Sequence, residues 1–290
     1  MKKIFVVILS LALMLSLFAC TDEKVSAGDE TVTEGDAKKV IAVTILPQKG
    51  FAEAVAGDKY EVAVMVPPGS SPENYEPSPM EMEKLSKAEI FFSIGVAAEN
   101  TKTFASLAEK VEVVPLHEMT AEKFPELEID GGRDPHIWLS PARASLMVDI
   151  MAEKLGEKYP EDKDMFRANA DAYMAEIEAA SSEIREILKG REGETFISFH
   201  PAFNYFADEF KLEMMSLEKH GKEATPMELK EIIDVAKEKG IHTIFTQAET
   251  DSRQSAAFAE EVGAKVVTLK PLAEDYVENL KLMAEAFKIG

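Results

Sequence analysis

The stretch "EDKDMFRANADAYMAEIEAASSEIREILK", residues 161–189, decides the fold. Phe166, Ala170, Tyr173, Ile177, Ala180, Ile184 and Ile187 recur along it at alternating spacings of four and three, which gathers them on one helical face. A helix over Glu161–Lys189 runs about 43 Å at 1.5 Å per residue. Tyr159-Pro160 breaks it from a preceding helical pattern over Pro141–Lys158. A coiled coil is one use for such a stripe. Packing within the chain is the other, and the flanking sequence favours it.

On both sides, short β-branched runs alternate with helical patterns, the mark of βα units and a parallel sheet. Before the long helix the expected strands are Val40–Thr44, Val62–Val66, Ile90–Ile94 and Val111–Val114, with helices over Pro47–Ala56, Pro79–Ser86 and Glu99–Glu109. After it come strands Thr195–Phe199, Leu212–Ser216, His242–Thr246 and Lys265–Leu269. Helices are expected there over Ala202–Glu209, Pro226–Lys239, Arg253–Val262 and Tyr276–Phe287. The fold class is therefore α/β: two βα lobes with parallel sheets, residues 39–140 and 191–290, joined by a helical segment 141–190 that braces both.

The N-terminus belongs to neither lobe. Lys2 and Lys3 precede an apolar run from Ile4 to Ala19, which is shorter than the roughly 20 residues that span a bilayer. It reads as an export signal over residues 1–19. Cys20, the chain's only cysteine, follows Leu-Phe-Ala, which resembles a lipobox with a bulky Phe18. The expectation is a lipidated Cys20 followed by an acidic tether over 20–38, with a pair of acyl chains giving stable anchoring. An incidental cysteine in a signal cleaved elsewhere is the alternative. The expected location is the outer face of the cytoplasmic membrane or the periplasm. Net charge is −21, and loss of the two signal lysines makes it about −23. Such a surface repels nucleic acid and suits a cation.

In open α/β sheets, ligands bind beyond the carboxyl ends of strands. Chemically capable residues collect there. The stiff loop "VPPGSSPENYEPSP", residues 66–79, carries Glu73 and Glu76; "RDPHIWLSP" carries His136 and Trp138; "HPAFNYF" carries His200; "QAETD" carries Gln247 and Glu249; and Lys270 follows the last strand. Two imidazoles and a carboxylate suit Zn²⁺, and also Mn²⁺ or Fe²⁺. Singly, His136 reads equally as a turn residue and His200 as a helix cap. His117, His220 and His242 read as surface or packing residues, and Trp138 as cleft wall or core.

Four ordered motifs carry a resemblance over roughly Val40 to Phe287. "VPPGSSPENYEPSP", "DPHIWLSP", "HPAFNYFADEF" and "GAKVVTLKPLAEDYVENL" resemble those of the metal-binding lipoproteins of zinc and manganese ABC importers. The resemblance implies a monomeric extracytoplasmic solute-binding protein that captures a divalent cation and delivers it to its permease. It implies a rigid connecting helix and metal bound by Glu73, His136 and His200, with Glu249 or Gln247 as candidates for a fourth ligand. Zinc is expected, with manganese or iron as alternatives. Two departures stand out: Glu73 occupies the usual position of a histidine, and Lys270 that of an aspartate. The histidine-rich loop of many zinc members is also absent, since Glu118–Arg133 holds no histidine. Glu76 is expected to bond loop amides, and the Lys270 head to turn away and pair with Glu249 or Glu218. A membrane-anchored metal-dependent hydrolase is the competing reading, because an open His-His-Glu site can activate water. It lacks any HExxH pairing or substrate-anchoring glycine loop.

Overall fold

Strand β1 (Lys39–Val43) is the register master of the first sheet, pairing in parallel with β2 (Tyr60–Val64) on one side and β3 (Ile90–Ser93) on the other. Strand β4 (Glu112–Pro115) completes the order β2-β1-β3-β4. The computed structural model describes residues 38–289, except 220 and 250–252; the signal, Cys20 and the tether up to residue 37 lie outside the described residues. Helices α1 (Leu46–Ala56), α2 (Pro79–Leu85) and α3 (Lys102–Ala108) connect these strands, and α4 (Leu116–Ala121) follows β4. Helix α2 starts where Ser78 and Glu81 form a capping box with Pro79 in the first turn. Helix α3 begins later than its expected start at Glu99. Thr101 caps it by accepting from the Phe104 amide, while Glu99 is used elsewhere.

A two-residue hairpin, β5 (Glu128–Ile129) and β6 (Gly132–Arg133), leads into the helical segment. Helix α5 covers Pro141–Lys158 and α6 covers Lys163–Ile187, with a short 3₁₀ turn at Pro160–Asp162 between them. Phe166, Ala170, Ile177, Ala180 and Ile184 of the α6 stripe are buried, so the stripe is intramolecular packing rather than a coiled-coil seam.

The second lobe repeats the plan: β7 (Thr195–Ser198), α7 (Asn204–Phe210), β8 (Glu213–Ser216), the hairpin β9 (Glu218–Lys219) and β10 (Lys222–Glu223), then α8 (Pro226–Lys239). Strand β11 (Thr243–Gln247), α9 (Arg253–Val262), β12 (Lys265–Leu269) and α10 (Tyr276–Ile289) finish the chain. The sheet order is β12-β11-β7-β8, all parallel. Alternation along its strands sends residues to two cores. Phe196 and Phe245 pack with Phe287 in the main core, while Ile197 and Ile244 join Ile232 and Phe258 on the other face.

The 25 residues of α6 extend about 37 Å. The helix packs on α5 along its length, on α1 from the first lobe and on α10 from the second. One hydrophobic core therefore runs from the first sheet through α5 and α6 to Phe245 and Leu269. A hinge motion would have to break that packing. Metal loading is expected to change the radius of gyration by less than about 1 Å in small-angle scattering; a large closure would contradict the bracing role of α6. No helix among the described residues is long and apolar enough to cross a membrane.

Candidate metal centre

The two sheets present their carboxyl ends to one another, and each site residue is held there by local chemistry. In the proline-rich loop after β2, the Ser71 carbonyl accepts from the amides of Asn74 and Tyr75, and the Pro72 carbonyl accepts from Ala98. The turn aims Glu73 into the cleft. Glu76 is exposed and makes no hydrogen bond among the described residues, contrary to expectation, because Ser71 already serves the loop amides. The buried carboxylate that does bond amides is Glu99, which accepts from Ile94 and Gly95 at 2.8 Å each and from the Thr44 hydroxyl.

His136 sits at the start of a 3₁₀ turn, Ile137–Leu139. Two residues earlier, fully buried Asp134 accepts from the His136 amide at 2.9 Å and lies 2.8 Å from its Nδ1. That bond fixes Nδ1–H and turns Nε2 toward the cleft. Arg133 anchors the segment by donating to the Gly95 carbonyl. Gly95 needs its missing side chain: its φ is +78°, and a Cβ would come within 2.4 Å of the Arg133 guanidinium. His117 packs against the same spot, which makes it a packing residue; burial and the nearby Arg133 charge push its pKa down. His242 is exposed, and His220 lies outside the described residues.

His200 follows β7 by two residues. The β7–β8 pairing continues beyond the strands, with the Leu217 amide donating to Ser198 and the Glu218 amide to Phe199. This continuation carries Glu218 to 3.2 Å from His200 Nδ1. The two histidines thus have the same design, a carboxylate behind Nδ1 and Nε2 free for the cleft. The structure brings Glu73, His136 and His200 together with ligating atoms all within 4.8 Å. Glu73 Oε1 is 2.7 Å from His200 Nε2 and 3.8 Å from His136 Nε2, and the two Nε2 atoms are 3.3 Å apart. Both imidazoles are 6% exposed, so few alternatives to a shared ligand exist for them.

The electrostatics agree with a site made for a cation. Burial pulls the His200 pKa down, but the hydrogen bonds and charges of Glu218 and Glu73 outweigh it and hold the imidazole up at about 9. Burial likewise pushes Glu73 upward, and the bond from His200 with the charges of both imidazoles overcomes it, leaving the carboxylate below its usual range. Without metal, a proton on His200 occupies the place of the positive ion.

Gln247, the last residue of β11, lines the same small cavity, together with Trp138, Pro271 and Leu272. Trp138 is the cleft wall, its indole donating to the Pro271 carbonyl at 2.8 Å and its ring 5.4 Å from that of His136. Glu249 does not line this cavity. It is half-buried, and burial raises its pKa against the opposing charge of Lys270. Lys270 is exposed and forms no ion pair with Glu249 or Glu218 among the described residues. Glu218 is committed to His200, so the expected lysine pairing is not seen. Larger cavities open elsewhere; one of about 490 Å³ lies beside Thr195 and Thr243 at the opposite strand ends and holds no ligating cluster.

Asp134 and Glu218 were not singled out as site residues from the sequence. The D-x-H spacing was a usable signal, since an aspartate readily accepts from the amide two residues on. Glu218 had none, because only sheet pairing brings it to His200.

Comparison with known proteins identifies the family. The family described as zinc-uptake complex component A, periplasmic, matches residues 41–290. The zinc-binding lipoprotein AdcA of Streptococcus pneumoniae serotype 4 is 28% identical over 300 residues, covering 97% of this chain and 57% of AdcA, so the chain spans little more than half of that relative. A crystal structure of ZnuA matches with a TM-score of 0.82 at 34% identity, over 88% of this chain and 99% of that one. The laminin-binding protein Lmb of Streptococcus agalactiae, described as a bifunctional protein with adhesin and metal-transporting activity, matches with a TM-score of 0.76 at 26% identity, over 87% of this chain and 99% of that one. The chain belongs to the zinc-uptake complex component A family, the extracytoplasmic metal-binding solute-binding proteins of ABC importers, and is a transport protein rather than an enzyme.

Proposed function

We propose that Glu73, His136 and His200 are the ligands that capture zinc outside the cytoplasm for delivery to the permease. The observation that carries this reading is the convergence of three ligating atoms on one point, with Asp134 and Glu218 orienting the imidazoles from behind. A carboxylate in place of a third imidazole makes the set harder, which narrows zinc's advantage over Mn²⁺ or Fe²⁺ without reversing the usual affinity order. Competition titration of metal-free protein tests this: one zinc per chain is expected, held more tightly than manganese. Equal affinity for the two ions would instead favour manganese or iron as cargo.

The working arrangement is a monomer with lobes at 39–140 and 191–290 about the helical segment 141–190. It is tethered by a lipidated Cys20 through residues 20–38. The lipobox-like Leu-Phe-Ala before the only cysteine supports the anchor. Cys20→Ser is expected to leave the chain uncleaved or to free it from the membrane fraction; unchanged fractionation and migration would show that Cys20 carries no anchor.

A further inference from the structure

The two lobes are one plan used twice. Counted from β2 and from β8, the orders β2-β1-β3-β4 and β8-β7-β11-β12 match strand for strand. Helices α2 and α8 therefore hold the same place, each following the second strand of its lobe. Both open on the same short phrase, Ser78-Pro79-Met80-Glu81 and Thr225-Pro226-Met227-Glu228. All but the methionine have a local reason. The hydroxyl caps the glutamate amide, the glutamate returns to the amide of the capping residue, and proline fits the first turn. The methionine has none. The side chains that turn inward come later, Met82 packing on the first core and Leu229 on the second. Met80 is left 78% exposed and Met227 72%, the highest values among the exposed large hydrophobic residues of the described chain. One such residue is ordinary on a surface. The same residue at the same position of both repeats calls for a common cause.

A helix that follows a parallel strand starts beyond that strand's carboxyl end, the side on which the metal site lies. Glu73 belongs to the loop that leads into Met80, and Glu218, behind His200, to the hairpin that leads into Met227. The two methionines thus stand one on each lobe, at the rim of the metal cleft. Their setting is polar and acidic: Glu76 and Glu83 are exposed close to Met80 in the chain, whose net charge is −21. An unbranched thioether there is an adaptable apolar plug, suited to a pocket on a partner whose own surface is not acidic. Both lobes offer the same plug on the same frame. The partner that fits both presents the same pocket twice about a two-fold axis.

We propose that Met80 and Met227 are paired apolar anchors by which the lobes dock on the permease, each in an equivalent pocket of one of its two like halves, with the metal cleft over the axis between them. This rests on the reading of the protein as a carrier that delivers its ion to a permease. Zinc uptake is measured in cells that produce the full chain as their only copy, and zinc affinity on the purified chain. Met80→Asp and Met227→Asp are each expected to lower uptake at sub-saturating zinc about tenfold, and the double variant further, with zinc affinity unchanged. Aspartate in the first turn favours a helix, so lost uptake is not lost fold. Leu282→Asp, at another exposed apolar residue, is expected to change neither quantity. Met80→Cys and Met227→Cys, coupled on intact cells to a maleimide photo-crosslinker, are expected to trap the same integral-membrane polypeptide, which Leu282→Cys and the unsubstituted chain do not. Full uptake by the double variant, cross-links from the two positions to different proteins, or cross-links between copies of this chain would overturn the proposal. If His136→Ala abolishes uptake while the double methionine variant leaves it intact, this inference falls alone; uptake that survives deletion of the chain would take the delivery reading with it.

Discussion

His136→Ala and His200→Ala are each expected to weaken zinc binding by more than about 100-fold, beyond the usual cost of losing an outer-shell partner. Each substitution removes one of two imidazole ligands. Each also takes the imidazole from the carboxylate behind it: fully buried Asp134 keeps only the backbone amide of residue 136 in one case, and Glu218 loses its imidazole in the other. His242→Ala is the control, since that residue is exposed and distant from the cluster. Chelator competition measures the loss. Trp138 gives a second readout, because it is the only tryptophan and its ring lies 5.4 Å from that of His136. Equal affinity across the three variants would remove these histidines from the site.

The second large effect is on pH. In the metal-free protein, His200 is held at about 9 by Glu218 and Glu73 against its burial, so it carries a proton at neutral pH. Glu73 stays ionised there, because its pKa is lowered. Zinc must displace the His200 proton. Affinity is therefore expected to fall about tenfold for each pH unit below about 9, roughly 100-fold from pH 8 to pH 6, with about one proton released per zinc at pH 7. The stability of the metal-free fold runs the other way. A raised histidine pKa gives a contribution fully present below about 6.5 and lost as pH rises through about 9. Calorimetry in buffers of different ionisation enthalpy counts the proton. Zinc binding without proton release at pH 7 would show that His200 is not displaced.

The sheets were readable because the parallel strands of βα units are written as compact apolar runs, many of them β-branched. Lys265–Leu269 matches its expected bounds, and β1 to β4, β7, β8 and β11 shift by one or two residues. The connecting helix was readable from its unbroken stripe, trimmed at each end by Pro160 and the turn before Gly190. Helix α4 and the two hairpins escaped, since segments of two to six residues are too short to show a period. At the site, motif order pointed to Glu73, His136 and His200, which strand ends alone left as candidates among several. The outer-shell carboxylates were hidden for opposite reasons. Asp134 is local but looks like part of a turn, whereas Glu218 meets His200 only through the parallel pairing of β7 with β8 across the intervening helix α7. Of the two partners expected for Lys270, Glu218 lies instead at His200, and Glu249 feels the lysine's charge without an ion pair between them.

One zinc ion is expected to sit where Glu73, His136 and His200 converge. Anomalous diffraction at the zinc edge from crystals of the loaded protein tests it most directly. The expected result is one strong peak about 2.0–2.1 Å from Nε2 of His136 and of His200 and about 2.0–2.2 Å from a carboxylate oxygen of Glu73. A peak elsewhere, or one that touches the histidines but leaves Glu73 unligated, would contradict it.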